Sequence, residues 1–334
     1  MKKMRVTMKT NTVKSALRNC GLCFCLIGGL AQAADTPATA LLVLNKDDAT
    51  LAILDPTSFK VIAKVSTGES PHEVATSADG KWAFVSNYGH GGRSISVIDL
   101  VAQKEKRVDV GELIGVHGIS SMGGKGVFSS EAGKLVATYD PATGKIERLV
   151  STNQDMTHMV MMNRDNSKLF TTNMVSGTVT IAERGTPWTQ TSVAVGQRPE
   201  GFDLSPDGTE IWTATYGDGN MAIVDVATKK LKQTFTTNTK RINRVKFTLD
   251  GKMALASDMG GGELVIFDVA TRKEVKRMQV GKNPEGILMD PSGQRAFVAV
   301  TGDNEVAVVD LKSMNVTTRF SAGKGPDGMA WAKR

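Results

Sequence analysis

Three of the four histidines of this chain, His72, His117 and His158, recur at intervals of 45 and 41 residues. Polar residues continue the series at Glu200, Asn243, Glu285 and Asp327, with steps of 42, 43, 42 and 42. If these side chains converge, two kinds of chemistry are open to them. The three imidazoles suit a divalent transition metal, and a histidine facing a carboxylate suits general acid/base work on a bound ligand, with Glu200 or Glu285 as the base. The plainer alternative is a hydrated polar ring that caps strand starts. Such long spacing is no metal motif, so everything depends on a fold that returns the chain to one place once per period.

The frame carrying these residues is a repeat. PEGFDLSPDG at 199–208 has near-copies in PHEVATSADG (71–80), INRVKFTLDG (242–251) and PEGILMDPSG (284–293). Weaker copies begin at Val116, Thr157 and Pro326. A β-rich period in the low forties is that of a four-stranded propeller blade. In the fourth unit, apolar alternation and turn residues predict strands at 202–205, 210–215, 221–226 and 231–236. The Asp-led turns, such as those beginning at Asp140 and Asp268, read as turn formers rather than ligands.

The chain ends complete the ring. Segments 41–44, 51–54 and 61–65 read as second, third and fourth strands with no first strand before them, while 326–331 is a first strand with nothing after it. The expected fold is therefore all-β: a seven-bladed β-propeller of four-stranded blades, closed by N-terminal strands pairing with the C-terminal strand. First strands line the channel of a propeller, so the seven polar residues should share one rim. His90, in the loop 87–93, should lie on the same face. So should a basic collar of Arg198, Lys240, Arg241, Lys282 and Lys324, with Arg244 and Arg93 beside it and Tyr88 and Tyr216 nearby. Such a collar would attract a small anion.

The pattern P-x-G-[IFM]-x-x-S-P-D-G is followed by strands ending Phe84-Val85-Ser86-Asn87 or Phe170-Thr171-Thr172-Asn173, and then by [VI]-[IV]-D-x-A-T. It resembles the YVTN-type β-propeller repeat, and the chain looks like the secreted YncE-like propellers. Relatives of that group include lactonase-type seven-bladed proteins and the d1 domain of nitrite reductase. The resemblance spans residues 34–334 and implies fold more than activity. The third unit departs, with Ala182-Glu183-Arg184-Gly185-Thr186-Pro187-Trp188 in place of the D-x-A-T turn. Seven repeats do not support the eight-bladed d1 arrangement or its haem.

Residues 1–33 read as a cleavable leader: six basic residues, the short apolar run 21–30, then Ala31-Gln32-Ala33. The expected location is the periplasm, without a stable membrane anchor. Removing the leader leaves 35 basic against 34 acidic residues and no cysteine. That near-neutral balance, with only 5% aromatic residues, argues against nucleic-acid binding. The 16 methionines, Met156, Met159, Met161 and Met162 among them, read as core filler rather than copper ligands. No Gly-x-Ser-x-Gly, phosphate loop, Cys-x-x-Cys-His or His-Glu-x-x-His motif is present. The leading expectation is a rim that binds a small anionic ligand or a protein partner. The alternative is a metal-assisted hydrolase, lactonase or isomerase, with a divalent metal on His72, His117 and His158.

Overall fold

Alternating apolar residues form strands wherever both faces can be covered, and in a propeller neighbouring blades cover them. In Thr39–Asn45 (TALLVLN) every residue after the first is buried. Leu42 and Leu44 pack towards Val85 and Ile98 of one neighbouring blade, while Leu41 and Val43 pack towards Phe297 and Val308 of the other. A strand clothed on both faces needs a continuous apolar run. The outermost strands have one face in water and read differently: Lys104–Asp109 is KEKRVD and almost wholly exposed or half-exposed. Charge on such an edge discourages pairing with another chain.

The structure is a computed structural model that describes residues 35–334; the expected leader, its cleavage site and its cysteines lie outside the described residues. Seven four-stranded antiparallel sheets form the seven blades, which are numbered here from Pro71. Six blades are continuous in sequence, and the seventh joins Pro326–Lys333 to Thr39–Asn45, Thr50–Leu54 and Val61–Ser66. The closing pair is antiparallel, with Leu42 opposite Ala330 and Leu41 opposite Trp331. Asp140 accepts the amide of Ala142 at 2.9 Å and Asp268 that of Thr271 at 2.7 Å, so both aspartates form turns. The divergent third unit still completes its blade, with Thr178–Glu183 pairing to Thr189–Ala194.

Two local devices aim the innermost strands. First, each carries a register shift just after its first residues, for example between Pro71 and Val74 and between Pro199 and Phe202. A bulge of this kind turns a side chain out of the sheet's alternation, here towards the channel mouth. Second, the next position is glycine in four blades, where neighbouring inner strands touch. A Cβ on Gly286 would stand 2.2 Å from the carbonyl oxygen of Asp327, and one on Gly328 2.3 Å from that of His72. Because the obstacle is backbone, Gly286→Ala should lower stability by about 1–3 kcal/mol. Urea unfolding of the variant checks this.

Candidate functional site

The bulged residues converge as the spacing requires. A cavity of about 230 Å³ at one mouth of the channel is lined by His72, His117, His158, Glu200, Asn243 and Glu285, all from inner strands. Arg198 and Arg241 line it from the loops before those strands. Arg244 closes it from below, with its guanidinium bonded to Glu73 and its Nη1 2.9 Å from Asn243 Oδ1. Asp327 is fully buried beside Lys46 and lies behind the lining.

The histidines form a stack but do different work. The rings of His117 and His158 lie 3.7 Å apart and nearly parallel, and His72 leans on His117 at 5.2 Å. His158 Nδ1 is 2.6 Å from Glu131 Oε1 and its Nε2 is 3.1 Å from Glu200 Oε1. Only an imidazolium donates from both nitrogens. Burial opposes that charge, but the two carboxylates overcome it and raise the His158 pKa to about 9. Burial opposes the charge on Glu200 too, yet His158 and the neighbouring arginines hold its carboxyl down at about 2. Glu200 is therefore a poor general base.

His72 and His117 are neutral. Burial, and then the charge of Lys46, bring the His72 pKa down to about 4. Its Nδ1 is 2.8 Å from the Ser70 carbonyl, to which it donates, so the lone pair resides on Nε2. His117 is fully enclosed against the His158 cation and is also lowered, by burial first; its Nδ1 has no hydrogen-bond partner. The expected three-histidine metal site is not what this arrangement provides. His158 spends both ring nitrogens on carboxylates, and no three His, Cys, Asp or Glu among the described residues are placed to hold an ion.

Several expected rim residues stand apart, and Arg93, Lys240, Lys282 and Lys324 are exposed and absent from the cavity lining. His90 has 83% of its side chain exposed and pairs with Glu69 rather than facing the cavity. Its backbone φ of 51° belongs to a looped turn over Gly89–Gly92, which carries the imidazole outward. Lys282 is exposed, and its backbone amide, at 2.9 Å from Asp303 Oδ2, is what holds its loop.

Lys46 and Glu131 do not stand out in the sequence, nor does the place that Met174 and Met259 take beside them. Each directly follows the last residue of a second strand, as do Tyr88 and Tyr216. This second ring had the same periodic signal as the first. Lys46 reaches Glu285 Oε2 at 2.5 Å and Asp327 Oδ2 at 3.4 Å. Tyr88 donates to Glu131 Oε2 at 2.9 Å and thus braces the carboxylate that holds His158. Burial and Glu131 raise the Tyr88 pKa, so the phenol stays protonated.

The buried cations of the mouth are thus matched by carboxylates, whereas its outermost pair is not. Arg198 and Arg241 stand 5.0 and 4.9 Å from the Tyr216 ring centre, and among the described residues neither has a carboxylate within ion-pair distance, although the charge of Arg241 is felt by Glu200. Cation–π contact orients a guanidinium without consuming its donors. One cavity therefore presents two guanidinium forks without ion-pair partners and two neutral imidazoles.

No curated protein sequence matches the chain. Among solved structures it is similar to a candidate 6-phosphogluconolactonase of Bacteroides uniformis, at 13% identity and TM-score 0.71 over 88% of this chain and 99% of that one. The Pseudomonas aeruginosa periplasmic gluconolactonase PpgL aligns at 16% identity and TM-score 0.68, covering 88% and 99%. The dihydro-heme d1 dehydrogenase NirN in complex with DHE aligns at 15% and 0.63, covering 89% of this chain and 76% of that one. At such identities these likenesses establish the fold. A family model described as lactonase, seven-bladed β-propeller, matches residues 125–324, more than half of the sequence, and the chain belongs to that family.

Proposed function

We propose that the mouth binds a small anionic ligand and hydrolyses a lactone or ester bond in it. The observation that carries this reading is the pair Arg198 and Arg241, set against Tyr216 with no carboxylate within ion-pair distance among the described residues, on a cavity that also holds the neutral His72. The guanidinium forks fit a carboxylate or phosphate group. Family membership and the gluconolactonase-type neighbours favour the lactone. The cavity of about 230 Å³ has room for a small molecule. Within the family we place the chain nearest the YVTN-type, YncE-like proteins on its repeat punctuation, and in the periplasm on its leader.

In this reading the anion rests on Arg198 and Arg241, and the ligand carbonyl lies deeper. His72 Nε2 takes a proton from water as that water adds to the carbonyl carbon. Negative charge then develops on the carbonyl oxygen in a cavity lined by Lys46 and Arg244, and these two cations, though shared with carboxylates, lower its energy by their proximity. His158, clamped between Glu131 and Glu200, keeps its charge and holds His117 neutral against it.

The test is steady-state kinetics on neutral and anionic sugar lactones with Arg198→Ala/Arg241→Ala. Losing two charge-assisted contacts should raise KM for anionic lactones by roughly 10–100-fold and leave kcat nearly unchanged. An unchanged KM would remove the anion site from these arginines. Saturable binding of an anionic lactone without turnover would instead make the protein a binding module, the second reading that the same arginines support.

A further inference from the structure

Behind the mouth lies a charge imbalance that the steps above do not use. Glu285 and Asp327 occupy equivalent positions on adjacent inner strands, held together where Gly286 meets the Asp327 carbonyl. Lys46 Nζ lies between them, 2.5 Å from Glu285 and 3.4 Å from Asp327. Glu73 reaches the same place from blade 1, bonded to Arg244 of blade 5. Three carboxylates, Glu73, Glu285 and Asp327, thus share two cations, Lys46 and Arg244, and Arg244 also stands 3.8 Å from Glu200. The remaining titratable neighbour, His72, is neutral.

Asp327 is the member whose charge is least compensated. Its side chain is wholly buried, and its nearest cation, Lys46 Nζ at 3.4 Å, leaves neither carboxylate oxygen in a well-formed hydrogen bond. Ionised carboxylates in such surroundings take up a proton instead. Glu285, by contrast, lines the cavity and accepts from Lys46. Burial raises both carboxyls above their ordinary values, and a neighbouring like charge adds to each rise, Asp327 for Glu285 and Glu73 for Asp327.

We propose that Glu285 and Asp327, bridged by Lys46, hold one proton between them at neutral pH, and that Glu285 passes it into the mouth as the acid that protonates the departing oxygen. The second half rests on the hydrolytic reading. Collapse of the tetrahedral adduct breaks the bond between the acyl carbon and the ring oxygen, whose electron pair takes the proton from Glu285. The proton gained by His72 from water later restores the pair, so one water is consumed and one hydroxy acid is formed. Glu285 is then the catalytic acid, and Asp327 the positioning residue that keeps it supplied.

Infrared spectroscopy of the whole protein tests the proton without any substrate. At pH 7 the wild type should show the carbonyl stretch of a protonated carboxyl, shifted in heavy water and lost at alkaline pH. Asp327→Asn or Glu285→Gln should abolish it, because two carboxylates then face two cations. A wild type lacking the band at pH 7 would overturn the proposal even if neither variant folds. Kinetics test the acid role. Glu285→Gln should lose roughly 100-fold in kcat on an alkyl lactone and far less on an aryl ester, whose leaving group needs no proton. Equal losses on both would remove the acid role. The band together with no hydrolysis of any lactone or ester would leave the shared proton standing and sink both the acid role and the hydrolytic reading.

Discussion

His158→Leu is expected to lower the unfolding free energy at pH 7 by about 3–5 kcal/mol, the usual cost of removing one partner from a buried ion pair. Leucine fills much of the space but leaves Glu131, with 13% of its side chain exposed, without its cation, and Glu200, with 7%, with only the more distant Arg244 at 3.8 Å. Adding Glu200→Gln to His158→Leu should restore part of the loss, because the damage lies in the stranded carboxylate. A double variant as unstable as the sum of the single ones would refute the pairing.

The pH dependence carries a sign. The folded pKa of His158 is raised to about 9, so the stability it contributes is complete below about pH 6.5 and is lost as pH rises through 9. The Glu200 carboxyl is lowered to about 2, so its side of the same pair is lost as pH falls from about 4.5 towards 2. His72 and His117 act the other way: folded they stay neutral, so acid below about pH 6.5 favours the unfolded chain. The difference between wild type and His158→Leu should be flat between these limits and shrink on both sides. Denaturant melts from pH 4 to 10 show whether the alkaline limb disappears in the variant.

On the hydrolytic reading, His72→Ala should reduce kcat by roughly 10²–10⁴-fold, the range for loss of a positioned general base, with little change in KM. Because His72 titrates at about 4, the wild-type rate should fall on acidification through that value, and the variant's residual rate should not follow it. His72→Gln cannot accept the water's proton as a base and should be as slow as the alanine variant. A variant that keeps wild-type kcat would move the base elsewhere and leave His72 as a wall of the cavity.

Much of this architecture could be read along the chain because its causes are local. Two-residue alternation, Asp-led turns and a period of about 42 residues each act within one hairpin or one blade, and closure follows from counting which strands each end lacks. The ring from His72 to Asp327 inherits its legibility from the same period. Its second ring was overlooked because Lys46, Glu131 and Met174 share no residue type, only a position after a strand. His90 misled because its loop satisfies the face rule while its backbone conformation turns the ring into solvent.

What the period could not convey is partnership. Lys46 and Glu285 are 239 residues apart and meet because the ring closes, and Arg244 finds Glu73 across the channel from 171 residues away. These contacts determine which imidazole is charged, which carboxyl keeps a proton and which arginines are left for a ligand. By itself the sequence determined the blades and the chemical types on the rim. The tertiary structure decided their protonation states and roles, since electrostatic energies depend on distance and burial, which no local pattern encodes.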